Sequence, residues 1–243
     1  MNTMVRTAGG TPASLDPGES GAPARAGAAR APDVLPPGSK AGPWIIEREI
    51  GRGGTGAVYA VTHEAIGKRE ARIANLVEHP CMPDVFATCR YDLRPYLVME
   101  RLAGQTLGAR LDASRLPRDE GSAVLRELCE VLAAAHTVGV THRDLKLDNV
   151  FLLARPGVDG HRVKLLDRGL ATIASEPDPL SGMIAGTLTY VAPEQIRGDV
   201  VTPATDLYAL AVLAYQVRVG RPPFAPAVDR TLLQLHLTGW IVE

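Results

Sequence analysis

The sequence predicts an α+β fold of two unequal lobes, and three observations predict it. Short alternating segments crowd the stretch from Trp44 to about residue 100, long apolar-periodic segments dominate the rest of the chain, and a glycine-rich turn links the first two strands. Strands first and helices after, with no internal repeat, suit segregated rather than alternating elements.

Each element has its own signal. Trp44, Ile46 and Ile50 fall on one side of an extended segment ending at Gly51, and Val58, Ala60 and Thr62 alternate again beyond the glycines. That is strand, tight turn, strand. Residues 70–79 are compatible with a short helix. Val85 to Ala87 and Tyr96 to Met99 are the next expected strands. Val124, Leu125, Leu128, Val131, Leu132 and Ala135 recur at helical spacing, so a long helix is expected from about Asp119, as its cap, to about Val138, with Gly139 as its stop. Val150 to Leu153 and Arg162 to Leu166 flank Asp159-Gly160 and predict a hairpin. Leu207 to Val219 is an apolar helix closed by Gly220 and Pro222-Pro223, and one more helix fits around Thr231 to Leu237.

Composition limits the function classes. The 243 residues carry 26 basic and 27 acidic side chains, so no bulk positive field points to nucleic acid. The longest strongly apolar stretch, Tyr208 to Val217, is about half a membrane span. No charged start leads into an apolar run, and Cys81, Cys89 and Cys129 show no CxxC spacing. A reducing, cytoplasmic setting is the expectation. In residues 1–43, Gly, Pro and Ala supply 23 of 43 positions, too little apolar surface to offset ordering entropy. This segment is expected to be a disordered tail ahead of a domain at 44–243, with a small lobe at about 44–100 and a large one at about 103–243.

Residues 138–153, VGVTHRDLKLDNVFLL, carry the decisive string. HRDLKxxN followed by apolar residues resembles the catalytic loop of protein kinases. Other strings fall in the same order: GRGGTGAVY at 51–59 resembles the glycine-rich loop, RPYLVMERLAG at 94–104 the hinge, LLDRG at 165–169 the DFG position, GTLTYVAPE at 186–194 the end of the activation segment, and TDLYALAVLAYQVRVGRPPF at 205–224 the large buried helix. The chain thus resembles bacterial serine/threonine kinases. The resemblance implies a two-lobed kinase-like fold, and transfer of the ATP γ-phosphate to a protein Ser or Thr hydroxyl.

It also implies roles. Asp144 would accept or orient the hydroxyl proton, and Lys146 would neutralise the moving phosphoryl group. Asn149 and Asp167 would give oxygens to Mg²⁺, which prefers them. Gly51, Gly53 and Gly56 would let backbone approach the phosphates. Val58, Met99, Glu100 and Leu102 would surround adenine. Asp206 would hold the catalytic-loop backbone. Arg143 would meet a phosphorylated activation segment, with Thr172, Ser175, Ser181, Thr187 and Thr189 as candidate acceptors, or would be a structural arginine holding loop carbonyls.

Three departures set this chain apart. Residues 69–80 resemble the helix bearing the family's glutamate, here Glu70, yet only residues 57–69 separate it from Gly56. A second strand and a turn fill that span, leaving no room for the VAIK-like strand whose lysine holds phosphates. Lys68 is a turn residue and a poor substitute. The small-lobe sheet should therefore be reduced. Arg168 replaces the apolar residue of DFG and is expected to pair with the orphaned Glu70, or else to face solvent. Beyond Phe224 the chain offers one helix where the family has several, including the arginine partner of Glu194. An incomplete large lobe, and a partner that covers it, are the expectation. The alternatives to an impaired kinase are a pseudokinase serving as a nucleotide-binding or scaffold module, and a gene fragment without function.

Overall fold

The computed structural model describes residues 3–7, 35–53, 56–64, 77–91, 94–166, 188–224 and 229–238. The chain forms two compact units, Met1–Ala74 with Asp84–Arg101, and Asn75–Pro83 with Leu102–Glu243.

The first unit is a six-stranded sheet. Its strands are β1 (Thr3–Thr7), β2 (Lys40–Ala41), β3 (Trp44–Gly53), β4 (Gly56–His63), β5 (Val85–Tyr91) and β6 (Arg94–Glu100). Their order is β2-β3-β4-β1-β6-β5. The β3–β4 hairpin closes at the glycine turn, with Gly53 opposite Gly56 and bulges at Ile46/Arg48 and Glu49/Gly51. One face carries the core: Trp44, Ile46, Ala57, Tyr59, Val61, Tyr96 and Val98, with Leu35 and Ala41. Alternation at period two puts these residues on a single side.

The tail expectation needs correction at two places. Leu35 and Ala41 are buried, the Leu35 amide donates to the Tyr59 hydroxyl at 3.2 Å, and the Tyr96 hydroxyl donates to the Ala41 carbonyl at 3.1 Å. The domain therefore starts before Trp44. More important, Thr3–Thr7 is a strand lying between β4 and β6, antiparallel to both. Four strands come from residues 44–100, as a reduced sheet requires; β1 fills the position between them. Neighbouring strands lie ~4.8 Å apart, so a gap of one strand would leave two unpaired edges in mid-sheet. Val5 stands opposite Tyr59 on one side and Val98 on the other. Composition hid this, because five residues cannot shift the average of 43.

The second unit is mostly helical. It contains β7 (Gly104–Thr106), α1 (Leu107–Ala113), α2 (Arg118–Thr137), β8 (Val150–Leu153), β9 (Val163–Leu165), α3 (Pro193–Arg197), α4 (Pro203–Val219) and α5 (Asp229–Thr238). α2 buries Val124, Leu128, Val131, Leu132 and Ala135, the predicted stripe. Its cap is Pro117 rather than Asp119, which sits in the first turn, where an acidic side chain favours the helix dipole. Gly139, at φ 76°, ends it. β8 and β9 form the predicted hairpin, and β7 joins them. α4 is capped by Thr202 and stopped by left-handed Gly220. The long helices pack around a core that includes Leu107, Leu145, Val150, Leu165 and Leu213.

Residues 77–83 belong to this second unit. Val77, Cys81 and Met82 enter its core, the Leu165 amide donates to the Cys81 carbonyl at 2.7 Å, and Lys164 Nζ donates to the Met82 carbonyl at 2.9 Å. Burial, with the Glu127 carboxylate nearby, pushes the Cys81 thiol up to about 12.

Two outcomes are expected. Val5→Pro removes a ladder donor in mid-sheet and should cost roughly 1–3 kcal/mol, seen as an earlier urea transition; an unshifted transition would show that β1 carries no stability. With Cys89 replaced by Ser, native protein at pH 8 should alkylate at exposed Cys129 and not at Cys81, as peptide mass mapping would show.

Candidate functional site

The site is built on the turn between α2 and β8. Its backbone is shaped by a buried carboxylate. Asp206, in the first turn of α4 and 1% exposed, accepts the His142 amide at 2.8 Å through Oδ2 and the Arg143 amide at 2.9 Å through Oδ1. His136 Nε2 lies 2.7 Å from Oδ2, so the end of α2 is tied to the same group. Arg143 has φ 67°, the one described non-glycine residue in the left-handed region. Such a conformation costs about 1–3 kcal/mol and needs its surroundings to enforce it. Two charge-assisted bonds to adjacent amides do so.

This turn presents a compact polar group. Lys146 Nζ sits 3.2 Å and 3.1 Å from the Asp144 carboxylate oxygens. Asn149 Nδ2 donates to the Asp144 carbonyl at 2.6 Å and to its Oδ2 at 3.1 Å. Asn149 is buried, in the 3₁₀ turn Leu147–Asn149, and its carbonyl accepts the Leu166 amide at 2.7 Å. With the Asn149 amide nitrogen committed to Asp144, its Oδ1 is the atom left to meet a hard cation. Asp144 and Lys146 stay partly open, with side chains 29% and 15% exposed. The arrangement can hold a hydroxyl proton at Asp144 beside a fixed ammonium.

A second layer fixes the turn. Gln195 on α3 donates from Nε2 to the Arg143 carbonyl at 2.9 Å and accepts the Ala192 amide at 3.0 Å. Glu194 accepts from the Thr205 hydroxyl at 2.6 Å, joining α3 to α4. Glu194 thus has a local partner where the sequence suggested only an absent arginine. Arg143 is exposed.

The structure therefore brings Asp144, Lys146 and Asn149 together, and the expected contact of Asp206 with the loop backbone is present. Gly51, Gly53, Gly56 and Val58 lie in the β3–β4 hairpin of the first unit, with Met99 and Glu100 on β6. Met99 is buried, and Glu100 Oε1 accepts the Asp84 amide at 3.1 Å. Leu102 begins the second stretch of the helical unit. Thr189 lies in the 3₁₀ turn Leu188–Tyr190. Asp167, Arg168, Glu70 and Thr187 lie outside the described residues, as do Lys68, Thr172, Ser175 and Ser181; so does the expected Arg168–Glu70 pair. Sequence reasoning missed His136 and Gln195. The His136 partner is 70 residues away, and no local pattern announces it.

The Asp144–Lys146–Asn149 cluster thus sits on a left-handed loop anchored to the buried start of a large helix. The chain belongs to the protein kinase domain family, which matches residues 66–240. Among similar proteins, the serine/threonine-protein kinase Pkn1 of Myxococcus xanthus is 40% identical over 211 residues, taking in 77% of this chain and 30% of that protein. The serine/threonine-protein kinase PknH of Mycobacterium tuberculosis is 30% identical over 230 residues, 85% of this chain and 36% of that one. The chain thus spans about a third of the length of these curated relatives. The fold is similar to that of the crystal structure of the Mycobacterium tuberculosis PknI kinase domain, with a TM-score of 0.63, 24% identity, and coverage of 85% of this chain and 92% of that one. No described helix is long and apolar enough to cross a membrane.

The Asp206 anchor is testable. Asp206→Ala leaves two adjacent loop amides and His136 without their acceptor and should cost at least ~2 kcal/mol, read by calorimetry; a melt equal to wild type would show the turn is held by other means.

Proposed function

We propose that the chain is a serine/threonine protein kinase of reduced activity that transfers the γ-phosphate of ATP to a protein hydroxyl. The observation that carries this reading is the Asp144–Lys146–Asn149 cluster. Asp144 accepts or orients the proton of the incoming Ser or Thr hydroxyl. Lys146, held against both Asp144 oxygens, places positive charge where the transferred group gathers negative charge. The carboxamide oxygen of Asn149 suits Mg²⁺, with Asp167 as its expected companion; the metal neutralises phosphate charge when bound. The glycine hairpin, Val58 and Met99 are the nucleotide contacts of this reading, with Glu100 and Leu102 offering backbone groups to adenine. Exposed Arg143 is available to meet a phosphorylated residue of the activation segment, Thr187 among the candidates. A cytoplasmic site of action fits the absence of a spanning helix among the described residues. The expected partner of the large lobe would bear on Val200 and Leu207, which are apolar and 83% and 56% exposed.

A second reading, a pseudokinase that binds nucleotide without transferring it, is favoured by one feature. No VAIK-like string stands between the glycine turn and residue 80. Labelled Mg-ATP with a basic protein substrate separates the two. Asp144→Ala should lower transfer about 10²–10⁴-fold and Lys146→Met about 10²–10³-fold, with nucleotide binding retained. Wild-type transfer no greater than that of Asp144→Ala, in a protein that still binds ATP, would establish the pseudokinase instead.

A further inference from the structure

The second unit holds a cavity that phosphoryl transfer does not use. Its volume is about 410 Å³, within the ~300–1,000 Å³ usual for small-molecule sites. Helix α2 lines it with Glu120, Ala123 and Glu127, β8 with Leu152, and Arg110 and Arg162 add two cationic residues. None of Asp144, Lys146 and Asn149 lines it. The charged residues of the lining do not all satisfy one another. Glu127 is only 8% exposed, and its donors all meet Oε2: the Arg162 amide at 2.9 Å, the Val163 amide at 2.8 Å and, more distantly, the Cys81 thiol at 3.9 Å. Oε1 has no donor among the described residues, so a nearly buried carboxylate keeps one oxygen for whatever enters the cavity. A carboxylate taken out of water gains from a charged donor. Arg110 already has a carboxylate, its Nη2 standing 3.7 Å from Glu120 Oε2, while Arg162 forms no ion pair among the described residues.

We propose that this cavity binds a free α-amino acid with an apolar side chain, of which leucine is the type. Charge complementarity selects the class. The lining carries two guanidinium groups and two carboxylates, so it has no net charge to attract a simple ion. A lone cation would answer Glu127 and leave Arg162 unpaired; a lone anion would do the reverse. A small zwitterion meets both. Its ammonium donates to Glu127 Oε1, and its carboxylate accepts from the Arg162 guanidinium, whose planar fork matches two carboxylate oxygens. Ala123, Val124 and Leu152 then give an aliphatic side chain a surface to leave water for. The site is independent of the transfer reading, so the failure of either leaves the other standing.

Calorimetric titration of the whole chain with L-leucine, with isopentylamine and with 4-methylpentanoate tests this, because the last two carry one charge each on the same aliphatic frame. Leucine should bind about ten- to a hundredfold more tightly than either half. Glu127→Gln keeps an acceptor for the Arg162 and Val163 amides and removes the charge. It should weaken leucine and isopentylamine about ten- to a hundredfold and leave 4-methylpentanoate within about twofold. Ala123→Phe, which fills the cavity without touching Glu127, should abolish leucine binding and serves as the second variant if Glu127→Gln melts early. Isopentylamine or 4-methylpentanoate binding as tightly as leucine would overturn the zwitterion assignment. Leucine affinity unchanged in a folded Glu127→Gln or Ala123→Phe protein would place the ligand elsewhere and overturn the site. Wild-type protein whose melting temperature is moved by none of the standard L-amino acids at millimolar concentration would overturn the proposal outright.

Discussion

One buried carboxylate sets the geometry on which the rest of the site depends. Asp206 receives two consecutive loop amides and touches His136. A charge so buried is unfavourable unless its oxygens are satisfied, and here each oxygen has a donor. The bond network forces Arg143 into the left-handed region, and that reversal turns Asp144 toward Lys146 and Asn149. The polar cluster is thus a product of helix placement. α4 supplies the anchor, α2 supplies His136, and α3 supplies Gln195 to the loop carbonyl. Each long helix buries apolar residues for its own stability, and the loop takes its shape from where those helices end.

The first unit shows a different constraint, that of pairing in a sheet. A sheet interrupted between β4 and β6 would expose two rows of backbone donors and acceptors. The chain meets the constraint with residues 3–7, antiparallel to both neighbours. Residues 35–41 cover the same core, through Leu35, Ala41 and the Tyr59 and Tyr96 hydroxyls. Segments that composition assigns to a tail are therefore structural where they carry β-branched or apolar residues at the right spacing.

Legibility in the sequence followed the length of each signal. α2 and α4 were readable because many apolar residues repeat at helical spacing, and the β3–β4 hairpin because glycines punctuate two alternating runs. The Asp144, Lys146 and Asn149 cluster was readable from one contiguous string. β7 and α1 were not, being only three and seven residues long. β1 has the alternation Thr3, Val5, Thr7, but its partners are about 50 and 90 positions away, and a period of two says nothing of where a strand will pair. Cross-chain contacts such as His136 with Asp206 are invisible for the same reason: tertiary packing chooses them, and local pattern does not.

The placement of β1 has a consequence for biogenesis. This strand leaves the ribosome long before it can find both neighbours, because Met4 must wait for Met99. At roughly 5–20 residues per second, that wait is several seconds. During it the nascent chain holds an unsatisfied ribbon, open to chaperones or to the same ribbon on a neighbouring polysome.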